Sequence, residues 1–255
     1  MLLPILIGSF LVSLIAFSGV LFLVFKPQLV QKLAFYLISF SAGTLLAVVF
    51  FDLLPEGIEL AEEMSIEPHS VMLFGLVGFL IFFLMERLLI WYHCHDQDVC
   101  QVHRSQSTPL ILIGDAVHNA IDGVIIALAF IADYKLGILT TISVALHEIP
   151  QEIGDFSVLI HNGMSRGRAI FFNVMVAFTT VISAVSFYYL GDLVNIESFL
   201  PAALALVAGG FIYIASVDLI PEIHHDTRPR TMLITTILFV FGILAIYSAG
   251  QLLPH

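Results

Sequence analysis

A chain of 255 residues with 59% hydrophobic and only 11% charged residues is not an ordinary soluble domain, in which about a quarter of residues carry charge. Its 20 acidic and 9 basic residues give a net charge of −11, which excludes nucleic acid as a partner and suits a protein that attracts cations. No GxxxxGK[ST] sequence occurs, so ATP does not drive this protein directly.

Runs of about 20 apolar residues recur along the chain and predict an all-α integral membrane protein. The expected transmembrane helices cover residues 2–25, 33–54, 70–92, 109–132, 136–160, 169–190, 199–221 and 231–253. They leave no loop long enough for a soluble catalytic domain, so residues 1–255 read as one membrane domain. The first span lacks a basic n-region and a small-residue cleavage pattern, and is read as a retained helix, not a signal peptide.

The basic residues set the topology. Lys26, Lys32, Arg87, Arg104, Arg166, Arg168, Arg228 and Arg230 all flank or lie in odd-numbered loops, and Lys135 alone falls in an even one. By the positive-inside rule the odd loops are cytoplasmic and both termini face outward. The cell membrane is the expected location. The second loop carries Glu56, Glu59, Glu62, Glu63, Glu67 and His69, which reads either as a solvated loop or as a collector of cations at an outer mouth.

Two segments repeat. Residues 42–56 read AGTLLAVVFFDLLPE and residues 208–222 read AGGFIYIASVDLIPE, so Asp52 matches Asp218 and Glu56 matches Glu222. Five spans apart, they point in opposite directions through the membrane. This predicts a 3+2+3 arrangement with inverted repeats: spans 1–3 over about 2–92, a cytoplasmic loop 93–108, central spans 4–5 over about 109–160, and spans 6–8 over about 169–253. Inverted repeats mark transporters, with the binding site near the bilayer midplane.

Intramembrane ionisable residues are costly and functional by default, and here they concentrate in the central pair. Span four carries Asp115, His118, Asn119 and Asp122, within roughly a 100° arc. Span five carries His147, Glu148, Gln151, Glu152 and Asp155, within roughly a 140° arc. Two facing polar stripes make a polar core away from lipid. Imidazole with carboxylate suits zinc, iron and manganese, whereas all-oxygen sites suit magnesium and calcium. Pro150 frees the carbonyl of Leu146, and a kink there is expected to open the helix beside His147. The bland alternative, interhelical hydrogen bonding, explains one or two such residues but not nine.

HNAIDG at 118–123 and HEIPQEIGD at 147–155 resemble the paired signatures HNxxDG and HExPHExGD of the ZIP (Zrt/Irt-like) metal-transporter family. The resemblance covers the whole chain. It implies transport of a divalent metal, foremost Zn2+ with Fe2+, Mn2+ or Cd2+ as alternatives, toward the cytoplasm, with no cofactor. It implies a binuclear site. His118, Asp122, His147, Glu148 and residue 151 would hold the principal ion, and Asn119, Asp122 and Glu148 would belong to the second. It also suggests a homodimer in the lipid bilayer. Glu152 joins the candidate ligands as part of the span-five stripe. The chain departs from the pattern at Gln151, where the family usually has His, and at Thr180, where some members carry a glutamate. Gln offers a weaker, neutral oxygen.

Other residues belong to expected way stations. Asp52 lies at the outer end of span two and Asp218 and Glu222 at the inner end of span seven, either as ion relays or as solvated carboxylates. Asp115, part of the span-four stripe, is a further entry or exit candidate. The third loop holds His93, Cys94, His95, Cys100 and His103, whose thiols and imidazoles suit zinc in a reducing cytoplasm. His224, His225 and Asp226 form a weaker cluster. Gly75, Gly78, Gly209 and Gly210 are expected at close helix contacts. The rival reading is an intramembrane zinc-dependent hydrolase built on HExxH, but the segment here is HEIPQ and lacks the second His. A metal sensor without transport is a third reading, disfavoured by the repeat.

Overall fold

The computed structural model describes residues 1–21, 25–93, 108–194 and 196–253, and every element among them is helical. Helix α1 (Leu2–Ser13) tightens into a 3-10 turn over Leu14–Val20. Helix α2 (Pro27–Val48) passes through a π-helical turn, Val49–Leu53, into α3 (Leu54–Glu63). Helices α4 (His69–His93), α5 (Thr108–Ala132), α6 (Tyr134–His161) and α7 (Arg166–Val194) follow. Helix α8 (Leu200–Tyr213) passes through a second π-helical turn, Ile214–Leu219, into α9 (Ile220–His224), and α10 (Pro229–Leu252) closes the chain.

Each expected span is helical over nearly all of its described residues. Six stretches among the described residues are long and apolar enough to cross a bilayer: Gln28–Glu63, His69–Leu88, Leu112–Ala132, Arg166–Gly191, Leu200–His224 and Pro229–Leu252. The other two differ for physical reasons. Leu2–Ser18 is apolar but short, and Tyr134–His161 carries the acidic stripe that lowers its hydropathy. The acidic second loop proves to be largely helical, because α3 continues the second span to Glu63. Pro55 sits in its first turn, where no N–H is needed, and Gly57 and Ala61 are buried on the side that packs against α8. Glu59, Glu62, Glu63 and Glu67 remain exposed.

Helices pair as α5 with α7, α2 with α10, and α4 with α8, while α6 packs on both α2 and α5. The C-terminal half of α5, residues 125–130, is buried all round, as a central span should be. Helices α4 and α10 expose Leu73, Leu76, Leu80 and Leu84, and Leu233, Ile237, Phe241 and Leu244, which suits lipid contact.

The two repeated segments share more than sequence. Both π-helical turns end at equivalent residues, Leu53 and Leu219, and both carry the repeated aspartate. Both following helices have proline in the first turn. Gly43 and Gly209 also correspond. A Cβ on Gly43 would collide with the Phe239 carbonyl of α10, and one on Gly209 with the Gly75 carbonyl of α4. Backbone approach this close admits only glycine. Gly78 similarly abuts the Leu206 carbonyl, and Gly210 lies against the Phe82 ring.

Pro150 lies inside α6, yet the helix runs unbroken to His161. The carbonyl of Leu146, which Pro150 leaves without its helical donor, accepts instead from Ser41 Oγ of α2 at 2.6 Å. A buried acceptor left unpaired costs about 1–3 kcal/mol. Ser41→Ala is therefore expected to lower the thermal unfolding midpoint in detergent by a few degrees. In a Pro150→Ala background, where the restored N–H can serve Leu146, the same substitution should be nearly neutral. Equal losses in both backgrounds would refute the role.

Candidate metal site

Four side chains from the facing stripes of α5 and α6 converge. His118 and Asp122 lie one turn apart on α5, and His147 and Glu148 are neighbours on α6. One ligand atom from each lies within 4.8 Å of all the others, the sole such grouping of His, Cys, Asp and Glu among the described residues. His118 Nε2 stands 3.3 Å from His147 Nε2 and 3.3 Å from Glu148 Oε1. His147 Nε2 stands 3.3 Å from Asp122 Oδ2 and 3.6 Å from Glu148 Oε1, while His118 and Asp122 are 3.8 Å apart.

These spacings have a direct chemical meaning. Two nitrogens each about 2.0–2.1 Å from a tetrahedral zinc are about 3.3–3.4 Å apart. His147 Nδ1 lies 3.2 Å from the Ser143 carbonyl, an acceptor that calls for N–H at Nδ1 and leaves Nε2 as a bare lone pair. Both oxygens of Asp122 and Glu148 Oε1 are buried without a hydrogen-bond partner. His147, Glu148 and Asp122 are essentially inaccessible, and His118 keeps 20% of its side chain exposed, which gives the cluster one open side. Two carboxylates would also balance a divalent ion, leaving no net charge in a low-dielectric setting.

The remaining candidates fall elsewhere. Asn119 is turned away: its amide nitrogen donates to Asp115 Oδ1 at 2.6 Å, and its oxygen accepts from Thr180 Oγ1 at 2.8 Å. Glu152 lies one turn beyond Glu148 and accepts from Asn173 Nδ2 at 2.9 Å. Gln151 is half-buried and lies one turn from His147 on the same face of α6. Asp115 is buried on α5 beyond the four-residue cluster. Asp52 is half-buried within electrostatic range of Lys135 and Glu56. Asp218 is exposed and lies within electrostatic range of Glu86 and His118, and Glu222 is exposed. Asp226, beside His224 and His225, is paired with Arg228. Its carboxylate accepts from Arg228 Nη2 at 2.5 Å and from the Arg228 backbone at 3.0 Å, which holds it well below the usual carboxylate range. Cys94, His95, Cys100 and His103 lie outside the described residues, as does the side chain of His93.

Thr180 was noted in the sequence only as a departure from the family pattern, and Asn173, Glu86 and Tyr213 were not singled out at all. Asn173 and Thr180 are buried on α7, seven residues apart, and reach the central pair. Glu86 of α4 accepts a short hydrogen bond from the Tyr213 hydroxyl of α8, adding a carboxylate near Asp218. The signal available was a polar residue within an apolar span. It is a weak one, since Asn, Thr and Tyr in membranes mostly join helices.

Comparison with known proteins settles the family. The model of the ZIP zinc transporter family matches residues 92–249, which includes all four clustered residues. The chain belongs to the ZIP zinc transporter family. Among ZIP relatives, zinc transporter YKE4 of Saccharomyces cerevisiae is 28% identical over 219 residues, covering 77% of this chain and 63% of that protein. Zinc transporter ZIP13 of Pongo abelii is 29% identical over 216 residues, covering 82% and 64%. Zinc transporter ZIP10 of Homo sapiens is 34% identical over 145 residues, covering 53% and 17%. The chain thus spans under two thirds of the length of these ZIP relatives.

Gln151 offers a test of reach. If it faces the ion, Gln151→His adds a third imidazole and is expected to tighten zinc binding by about 10-fold or more, within the range that outer ligands command. Isothermal titration of the purified protein reads this directly. An unchanged affinity would mean that residue 151 does not touch the metal.

Proposed function

We propose that this protein carries zinc across a membrane toward the cytoplasm, with His118, Asp122, His147 and Glu148 as the principal ligands. The observation that carries the reading is the 3.3 Å convergence of two imidazole nitrogens and two buried carboxylates between α5 and α6. Membership of a family named for zinc transport supports it, and three relatives carry the name zinc transporter. The hydrolase reading has no such support, because Gln151 stands where HExxH needs its second ligand.

In this reading the exposed carboxylates of α3 gather the ion at the outer mouth, and Asp52 hands it inward. At the cluster the ion exchanges water for imidazole and carboxylate, and the open side at His118 leads toward Asp218 and Glu222. Gln151 contributes a weak neutral donor that keeps the ion releasable. Asn119 would join a second ion only by leaving Asp115. The 3+2+3 arrangement, with 1–255 as one transporter domain, draws support from the equivalent π-helical turns and glycines. Termini outside, a cell-membrane location, a homodimer and a cytoplasmic third loop that captures the released ion complete the reading.

Zinc uptake into proteoliposomes tests the function, with Fe2+, Mn2+ and Cd2+ as competitors. Zinc-dependent uptake that Cd2+ inhibits is the expected result, and peptide hydrolysis without uptake would overturn the reading. Orientation is tested separately. An impermeant thiol reagent added outside intact cells should leave Cys94 and Cys100 unlabelled, and labelling would invert the topology.

A further inference from the structure

Two turns along α5 from Asp122, a second group of buried polar atoms sits between three helices. Asp115 of α5, Glu152 of α6 and Asn173 of α7 are each at least nine-tenths buried. Every one of them uses half of its terminal group and leaves the other half unpartnered. Asp115 Oδ1 accepts from Asn119 at 2.6 Å, and Asp115 Oδ2 has no partner. Glu152 Oε2 accepts from Asn173 Nδ2 at 2.9 Å, and Glu152 Oε1 has none. Asn173, having turned its nitrogen to Glu152, leaves its own Oδ1 buried without a donor. The charged groups that Glu152 feels are Asp115, Glu148 and Asp155, all of them acidic. Those that Asp115 feels add only His118.

We propose that Asp115, Glu152 and Asn173 form a second, all-oxygen cation site, separate from the imidazole cluster. Hydrogen bonding within α5 and between α6 and α7 accounts for one oxygen of each carboxylate but not for the unpartnered three. Buried carboxylates within electrostatic range of one another, with no Lys or Arg among the charged groups they feel, call for a cation. The donor set fixes the class of ion. Two carboxylates and an amide carbonyl, with no imidazole and no thiolate, suit hard divalent ions such as Mn2+, Mg2+ or Ca2+ over zinc. The four clustered residues include none of these three: Asp115 lies three residues beyond His118 and Glu152 four beyond Glu148, about one turn farther along each helix. The existence of this site rests on the buried oxygens alone. Its place on the ion's route, between the cluster and the cytoplasm, rests on the transport reading above.

The test uses the full chain in detergent, loaded with one equivalent of zinc and titrated with Mn2+ while free Mn2+ is followed by electron paramagnetic resonance. One Mn2+ bound per chain is expected beside the zinc. Asp115→Asn with Glu152→Gln, which keeps the shapes and hydrogen-bonding capacity, should weaken that Mn2+ by at least about 10-fold and leave zinc bound. His118→Ala with His147→Ala should do the reverse. Asn173→Asp, which adds a charge to the oxygen set, should tighten Mn2+ and decides the matter if the double variant does not fold. No Mn2+ bound beside zinc, or Mn2+ binding indifferent to Asp115, Glu152 and Asn173, would overturn the proposal. Mn2+ bound as expected by a protein that moves no zinc would overturn the transport reading and leave this site standing.

Discussion

His147→Ala abolishes metal uptake while the protein still inserts and purifies as the parent does. The expectation follows from three facts about one ring. Its Nε2 lies 3.3 Å from both His118 Nε2 and Asp122 Oδ2 and 3.6 Å from Glu148 Oε1, so it stands within reach of all three other ligand groups. Its Nδ1 is fixed by the Ser143 carbonyl, so the ring cannot be replaced by a mobile neighbour. It is fully buried, so no water at the surface substitutes for it. Losing even an outer partner of a metal ligand costs about 10–100-fold, and losing the ligand should exceed that range. Uptake should fall to the level of empty liposomes, with zinc affinity down by more than about 100-fold. His147→Ala transporting at the parent rate would remove the cluster from the pathway.

Gly209→Val prevents the fold from assembling. Any Cβ at this position meets the Gly75 carbonyl and the Phe79 nitrogen, which are backbone atoms that no rotamer change can move. Overpacking in a core costs about 1–3 kcal/mol even where side chains can yield, and here they cannot. Helices α4 and α8 have to separate, and the buried side of α8 with Leu204, Ala205 and Ala208 loses its partner. Little folded protein should be recovered on size-exclusion chromatography. Gly154→Val is the control, because a Cβ there meets no atom within 4 Å. Equal yields from the two variants would contradict the packing described for α4 and α8.

Much of this was legible from the residues in order. Apolar runs of bilayer length located the six helices long and apolar enough to cross a membrane among the described residues, because in lipid a helix is the one way a single segment can satisfy its own backbone. The convergence of His118, Asp122, His147 and Glu148 was legible because helical periodicity places residues i and i+4 on one face. The rest depended on contacts across the fold. Asn119 has the same spacing as its neighbours, yet Asp115 and Thr180 take both ends of its amide. Pro150 predicted a freed carbonyl correctly but not its fate, since the donor is Ser41, 105 residues away along the chain. The second span ran on past residue 54 because buried Gly57 and Ala61 let α3 pack on α8, something charge composition hides. The pairing of Asp226 with Arg228, two residues along, was not read from the sequence either.

The proposed transport requires that zinc be held by imidazole and carboxylate inside the membrane. Zinc K-edge X-ray absorption on the full chain with one equivalent of zinc tests it most directly. Nitrogen and oxygen neighbours at about 2.0–2.1 Å, with outer-shell scattering from two imidazoles and no sulfur, are the expected result. Sulfur neighbours at about 2.3 Å would place the tightly bound ion on Cys94 and Cys100 in the third loop and contradict it.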